Sequence, residues 1–313
     1  MPEPRAHLPY GPAVVAAYEL QTAPEYWAVD APRLSAYLGR QLEGADRQIL
    51  FRSEGDGPGT AVAVWRELAF DSAVFSRRMA RIDWVAAPAL DHPDRSGLLG
   101  ETVAAASDRG VVHLTLRASA RDPGLIHAAE DAGFRTVTAF VGMARALADD
   151  PGPADPSIRV AGETDLADLR DITAEAFAGG TRFHLDPSLP DADTARLHRQ
   201  WIENCLAGRA ADVVLAAAPG AGVSGYITCA VDPLAEPILG QCRGSIGLFA
   251  VATRARGRGV GNGLLRAALA WLRAQGVERV EVGTESINYS ALQAYARAGF
   301  GPVQSCLTMH RWS

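Results

Sequence analysis

The sequence contains no lysine; all 30 of its basic residues are arginine. That absence excludes a Schiff base formed on this chain, a phosphate-loop lysine and a lysine general base. Together with the abundance of alanine it fits a high-GC coding genome, so the arginines are not read one by one as functional. Cysteine is also scarce. Cys205, Cys229, Cys242 and Cys306 show neither a Cys-x-x-Cys spacing nor paired His/Cys clusters, so no zinc site, disulfide framework or other metal site is expected and the thiols are assigned to packing. A positive field is missing: 36 acidic residues outweigh the arginines and the net charge is −6, which argues against nucleic acid as a partner. No window approaches the ~18 apolar residues of a membrane span, and the opening Met-Pro-Glu-Pro-Arg has no basic region followed by an apolar run. A cytoplasmic protein with no membrane partner is expected. What remains is a chain of 313 residues, 48% hydrophobic and 21% charged, the composition of a soluble globular protein with one large or two medium domains. Its expected partner is a small molecule, and a homodimer is left open.

Apolar periodicity breaks near the midpoint, at the Pro-, Asp- and Gly-rich stretch Ala148–Pro156, where a linker is placed between residues 1–150 and 155–313. A second turn-rich break, residues 44–59 ending in Ser53–Gly59, reads as a hairpin connection between Gln48–Phe51 and Ala61–Trp65. Sliding one half over the other by 166 residues lays Gly110-Val111 on Gly276-Val277, Gly97-Leu98-Leu99 on Gly263-Leu264-Leu265 and Ala132-Gly133-Phe134 on Ala298-Gly299-Phe300 without a gap. The chain reads as a tandem duplication. In the second half, a strand at Ile158–Val160, helices over about 165–177 and 192–206, strands at 212–217, 223–230 and 244–251, a helix at 261–275, a strand at 279–283, a helix at 290–298 and final strands follow one another. That order is α/β, a mixed and mostly antiparallel sheet flanked by helices.

The richest segment is Arg256-Gly257-Arg258-Gly259-Val260-Gly261-Asn262-Gly263, between an apolar strand and an amphipathic helix. Glycines let backbone amides approach a ligand closely, and the free N–H groups and positive dipole end of the helix favour an anion such as a pyrophosphate. No Gly-Lys-Ser/Thr follows, and Gly-x-Gly-x-Gly is not the Gly-x-Gly-x-x-Gly of dinucleotide folds. In the first half, Leu90, Pro93 and Arg95 stand where Arg256, Gly259 and Gly261 stand in the second. The first half therefore has no glycine cradle and is expected to be a degenerate lobe.

Arg256-x-x-Gly259-x-Gly261, a helix, a strand, and then Asn288-x-x-Ala291-x-x-x-Tyr295-x-x-x-Gly299-Phe300 resemble the acetyl-CoA-binding core of the GNAT N-acetyltransferase family, over about residues 155–313. The resemblance implies tandem GNAT folds and acetyl-CoA as cosubstrate, with the loop 256–263 on the CoA pyrophosphate. It implies backbone amides of Phe249, Ala250 and Val251 on the thioester and pantetheine, and Asn288 beside the pantetheine. Tyr295 would protonate the leaving thiolate. Thr181-Arg182-Phe183-His184, Leu197–Asn204 and Gly244–Leu248, with Trp65–Phe75 in the first half, are similar to the dTDP-fucosamine acetyltransferases. That likeness implies transfer to the primary amine of a nucleotide-linked or secondary-metabolite amino sugar, with Arg182, Phe183 and His184 at the acceptor. A base that holds the amine neutral is sought among Glu285, Asp232, His184 and His310, with Glu285 at the end of a strand taken first. A mycothiol synthase-like tandem GNAT and a non-catalytic acyl-CoA-binding module are the alternatives.

Overall fold

The structure is a computed structural model that describes residues 29–42, 47–53, 60–86, 92–148, 152, 155–220 and 222–313. In chain order the elements begin with α1 (Ala31–Leu42), β1 (Arg47–Ser53), β2 (Thr60–Glu67), α2 (Ala69–Phe75), β3 (Met79–Ala86) and α3 (His92–Asp108). Next come β4 (His113–Ser119), α4 (Pro123–Asp131), β5 (Arg135–Ala146), β6 (Ile158–Val160), α5 (Leu166–Ala176), α6 (Arg182–Leu185) and α7 (Asp191–Leu206). The remainder are β7 (Val213–Ala217), β8 (Gly225–Val231), α8 (Ala235–Leu239), β9 (Arg243–Val251), α9 (Val260–Ala274), β10 (Arg279–Glu285), α10 (Tyr289–Arg297) and β11 (Gly301–Trp312). The duplication is visible in these boundaries. β4, α4 and β5 begin 166 residues before β10, α10 and β11 respectively.

The polypeptide forms two compact units, Met1–Val137 with Gln304–Ser313, and Thr138–Val303. In the first unit β1, β2 and β3 pair antiparallel and β3 pairs parallel with β4, a connection that needs a crossover, here α3. The fifth strand is the end of β11, from Cys306 opposite Ser119 to Trp312 opposite His113. Trp65, Leu98, Leu99, Leu116, Phe134 and Met309 fill its core. The connection 54–59 lies outside the described residues, while the strands on either side of it pair from Arg47 opposite Arg66 to Ser53 opposite Thr60.

In the second unit the strand order is β5-β10-β9-β8-β7-β6. Among its described residues only β9 and β10 run parallel, with α9 as the crossover. One face of this sheet is covered by α9 and α10, through Leu264, Leu265, Leu269, Leu272 and Tyr295 packed on Ile246, Val280 and Val282. The other face is covered by α5 and α7, whose Leu169, Ile172, Ile202 and Cys205 pack on Tyr226, Leu248 and Ala250. Each unit thus holds the last strand of the opposite half of the chain. β5 precedes the Asp/Pro-rich stretch and pairs with β10, from Ala146 opposite Arg279 to Phe140 opposite Glu285. Of that stretch, residues 149–151 and 153–154 lie outside the described residues. All four cysteines are free and buried. Burial pushes the thiols of Cys205 and Cys306 up to about 11 and that of Cys229 up to about 12, so they are packing groups rather than nucleophiles. Among the described residues no helix is long and apolar enough to cross a membrane.

Candidate active site

The site is built on the place where β9 and β10 part. Their parallel pairing runs from Arg243 and Arg279 to Ile246 and Val282 and stops there, although both strands continue. On its other side β9 stays paired with β8, with a register shift that sets Cys229 opposite Ile246 and Ile227 opposite Phe249. Two steps of β8 therefore match three steps of β9, a bulge that sets Gly247 and Leu248 against Thr228. Its effect appears in the packing. Ile246 and Phe249 face the α9 core, whereas Leu248 and Ala250 face the α5/α7 core.

The bulge decides which amides are free. Ala252 N–H donates to Ser224 O at 3.0 Å, and in an antiparallel ladder the bonded pairs alternate. Ala250, opposite Tyr226, therefore turns its amide into the ladder, while Phe249 and Val251 turn N–H and C=O toward the gap that β10 leaves. Two of the three amides expected from the family resemblance point into the gap; Ala250 does not. The Val251 carbonyl on that side accepts from Arg256 Nε at 3.1 Å.

Beyond β9 the chain makes a single 3-10 turn, Thr253–Ala255, tied down by Glu175, which accepts from Thr253 N, and by Arg254, which donates to Val223 O at 2.7 Å. Gly257 and Gly259 follow with φ of 74° and 83°, a backbone that a side chain strains. Gly259 is the N-cap of α9 and has no side chain to cap it, and the first intrahelical bond is Gly263 N to Gly259 O at 3.0 Å. The amides of Val260, Gly261 and Asn262 open the helix without intrahelical acceptors, and the positive end of a 15-residue helix dipole lies with them. Gly261 serves a different purpose from the other two. A Cβ there would lie 3.3 Å from Phe249 Cζ and 3.7 Å from Val251 Cγ2, so its bareness lets α9 start directly over the bulged strand. Arg258 is exposed.

Asn288 caps α10, accepting from Ala291 N at 3.3 Å and donating to Thr284 Oγ1 at 3.0 Å. Tyr295, two turns along, is 4% exposed, with its ring 6.1 Å from that of Phe249 and 5.9 Å from that of Phe300. Burial pushes its phenol above the ordinary tyrosine value, so it is a neutral donor across the physiological range. Glu285 is half-buried at the end of β10. Its Oε1 accepts a long bond of 3.4 Å from Arg182 N, and its Oε2 is buried with no hydrogen-bond partner. Arg182 stacks on Phe183, 4.1 Å from the ring centroid. The other base candidates fall elsewhere: Asp232 accepts from Leu234 N in the turn before α8, and His310 is buried in the first unit with its ring 4.7 Å from His113.

A cavity of about 530 Å³ lies between α5 and α7, lined by Thr173, Phe177, His184, Asp191 and His198 among others. His184 Nδ1 is 2.9 Å from Thr181 Oγ1, and its ring stacks on His198 at 5.8 Å. Burial pushes the His184 imidazole below its usual value. His198 is 3% exposed, stacks on Phe177 at 5.1 Å and donates from Nδ1 to Thr194 O at 2.9 Å. Burial lowers it to about 4, so it is neutral at pH 7. The cavity is not legible in the sequence, where Phe177 reads as the end of a helix and His198 falls in the stretch Leu197–Asn204 similar to the dTDP-fucosamine acetyltransferases. The available signal was the Phe183-His184 pair followed by a helix that carries His198 and Trp201.

In the first unit β3 and β4 part in the same way, after Ile82 and Leu116, but the helix start differs. Arg95 stands where Gly261 stands, and its guanidinium is paired with the carboxylate of Asp122, the N-cap of α4 and the counterpart of Asn288. Leu90 lies outside the described residues.

The model of the acetyltransferase (GNAT) family matches residues 167–300. The chain is 32% identical over 195 residues to a dTDP-fucosamine acetyltransferase of Escherichia coli O6:H1, covering 62% of this chain and 79% of that one. It is 27% identical over 153 residues to aminoglycoside N(6')-acetyltransferase type 1 of Klebsiella aerogenes, covering 48% of this chain and 92% of that enzyme. Among solved structures, the tandem GNAT protein from the clavulanic acid biosynthesis pathway shares the fold with a TM-score of 0.52 at 15% identity, covering 96% of this chain and 94% of that one. A GCN5-related N-acetyltransferase from Sphaerobacter thermophilus does so with a TM-score of 0.57 at 16% identity, covering 96% and 93%. Parted strands, a bulge that frees two amides and an uncapped glycine-rich helix start agree with these matches, and the chain belongs to the GNAT acetyltransferase family.

Proposed function

We propose that residues 155–313 transfer an acetyl group from acetyl-CoA to the primary amine of a small molecule, with a nucleotide-linked or secondary-metabolite amino sugar as the acceptor class. The observation that carries the reading is the pair of free amides, Phe249 and Val251, in the same gap as the open N-terminus of α9. The donor set fits the group. Amides 260–262 and the positive helix end suit a pyrophosphate, with Arg256 and Arg258 adding charge. Phe249 and Val251 N–H suit a thioester oxygen, whose negative charge grows as the amine attacks, so donors fixed in advance stabilise the transition state. Tyr295 donates a proton to the departing thiolate, for which a neutral phenol is suited. Glu285, with one oxygen buried and unpaired, receives the proton that the ammonium must lose before attack.

The amino-sugar class is supported by the relative named for dTDP-fucosamine and by the second relative, named for an aminoglycoside. Among the described residues of 1–150 the Arg95–Asp122 pair fills the path that Gly261 leaves clear, which supports a lobe without a cofactor site of its own. The test is incubation of the purified chain with acetyl-CoA and either a dTDP-linked amino sugar or an aminoglycoside, following free thiol and the mass of the acceptor. Gain of one acetyl group on the amine is the expected result. Acetyl-CoA binding with no acceptor modified across both classes would favour a non-catalytic binding module.

A further inference from the structure

We infer that Phe140, a residue of the first half of the chain, limits the length of the acyl group that the second unit accepts. The inference rests on the acyl-CoA reading of the gap between β9 and β10. The first unpaired residues beyond Ile246 and Val282 are Gly247 and Gly283, both exposed and both without side chains. The floor of the gap, where the strands rejoin, is therefore bare on both sides. An acyl group whose carbonyl oxygen meets the amides of Phe249 and Val251 has its carbon chain over this floor.

One side chain intrudes. β5 pairs with β10 so that Phe140 is opposite Glu285, and the two side chains share a face of the sheet. Phe140 leans along the diagonal to Gly283, and its ring stands where a side chain of Gly283 would be. The alternation along β10 puts Val280 and Val282 in the α9 core, and Gly283 and Glu285 on the opposite face. The ring thus closes the bare floor from the side opposite α9 and stands next to the carboxylate of Glu285. A two-carbon acyl group stops short of it; a chain two methylenes longer meets the ring.

The experiment is calorimetric titration of the full chain with acetyl-CoA and with butyryl-CoA. The wild-type chain should bind acetyl-CoA about tenfold more tightly or better, and Phe140→Ala should tighten butyryl-CoA about tenfold while acetyl-CoA stays within about threefold. Phe140→Leu, which keeps an apolar side chain in β5, should move butyryl-CoA the same way by less and guards against failure of the alanine variant to fold. Equal affinity of the wild-type chain for both, or butyryl-CoA affinity unchanged in a folded variant, overturns the inference. Failure of acetyl-CoA itself to bind the wild-type chain overturns instead the cofactor reading beneath it.

Discussion

Replacing Gly261 by arginine should close the acetyl-CoA site while leaving the second unit folded. The substitution copies the first unit, where Arg95 at the equivalent place is paired with the N-cap Asp122. In the second unit the corresponding N-cap is Asn288, and an arginine at 261 would lie across the path between loop and cap. The effect on stability is small. A Cβ at 261 comes 3.3 Å from the end of the Phe249 ring, which has to give by a few tenths of an ångström, and leaving glycine gains about 0.8 kcal/mol of helix propensity. The net change should stay within about 1 kcal/mol in urea unfolding. Acetyl-CoA affinity should fall about 100-fold or more, equivalent to about 2.7 kcal/mol, because the side chain covers the amides that approach the pyrophosphate. The added positive charge acts the other way, by about 1 kcal/mol for an exposed pair at contact. The sign of the change measured by calorimetric titration therefore separates blocked approach from simple charge attraction. Gly261→Ala, which adds only the Cβ, should lose less than about tenfold. Gly259→Ala should cost about 1 kcal/mol in stability, since its φ is 83°. A folded Gly261→Arg chain that binds acetyl-CoA as tightly as the wild type, or more tightly, would refute the assignment of this helix start to the pyrophosphate.

Tyr295→Phe should lower kcat about 100-fold with acetyl-CoA affinity nearly unchanged, as for a proton donated only in the transition state; a matched loss of binding and turnover would mark a packing role beside Phe249 and Phe300. Acetyl-CoA should bind with a stoichiometry of one per chain, because Arg95 and Asp122 close the first-unit counterpart; a value near two in monodisperse protein would contradict that. The depressed imidazole of His198, at about 4 against an ordinary 6.5, makes stability pH-dependent. The neutral ring's contribution is whole above pH 6.5 and is lost as pH falls toward 4, roughly 3 kcal/mol in all. Urea midpoints between pH 7 and 4.5 should fall less steeply in His198→Gln, and an unchanged slope would remove His198 as the cause.

Local features of the site are legible along the chain. Gly257 and Gly259 announce a backbone of positive φ, the run from Val260 to Ala274 carries its own apolar face, and Asn288 is a helix cap by residue type. The 166-residue repeat follows from spacing alone and recurs in the boundaries of β4, α4 and β5 against β10, α10 and β11. These are readable because a turn, a cap and a helical stripe are set by residues within a few positions of one another. Partnerships between distant segments are not. β5 and β11 are repeats of one strand with one apolar pattern, so periodicity cannot state that β5 pairs with β10 and β11 with β4; only the packing of each whole unit selects the partner. The same holds at the site. Which of Phe249, Ala250 and Val251 presents its amide depends on the register with β8 and the bulge, and Arg95 reaches Asp122 across 27 residues. The ring of Phe140 covers Gly283 through a pairing that joins the two halves of the chain. Sequence alone determined that this protein has a glycine cradle at one helix start and a repeat that has lost it; tertiary structure decided which amides, carboxylate and ring surround the gap, because those are products of long-range pairing.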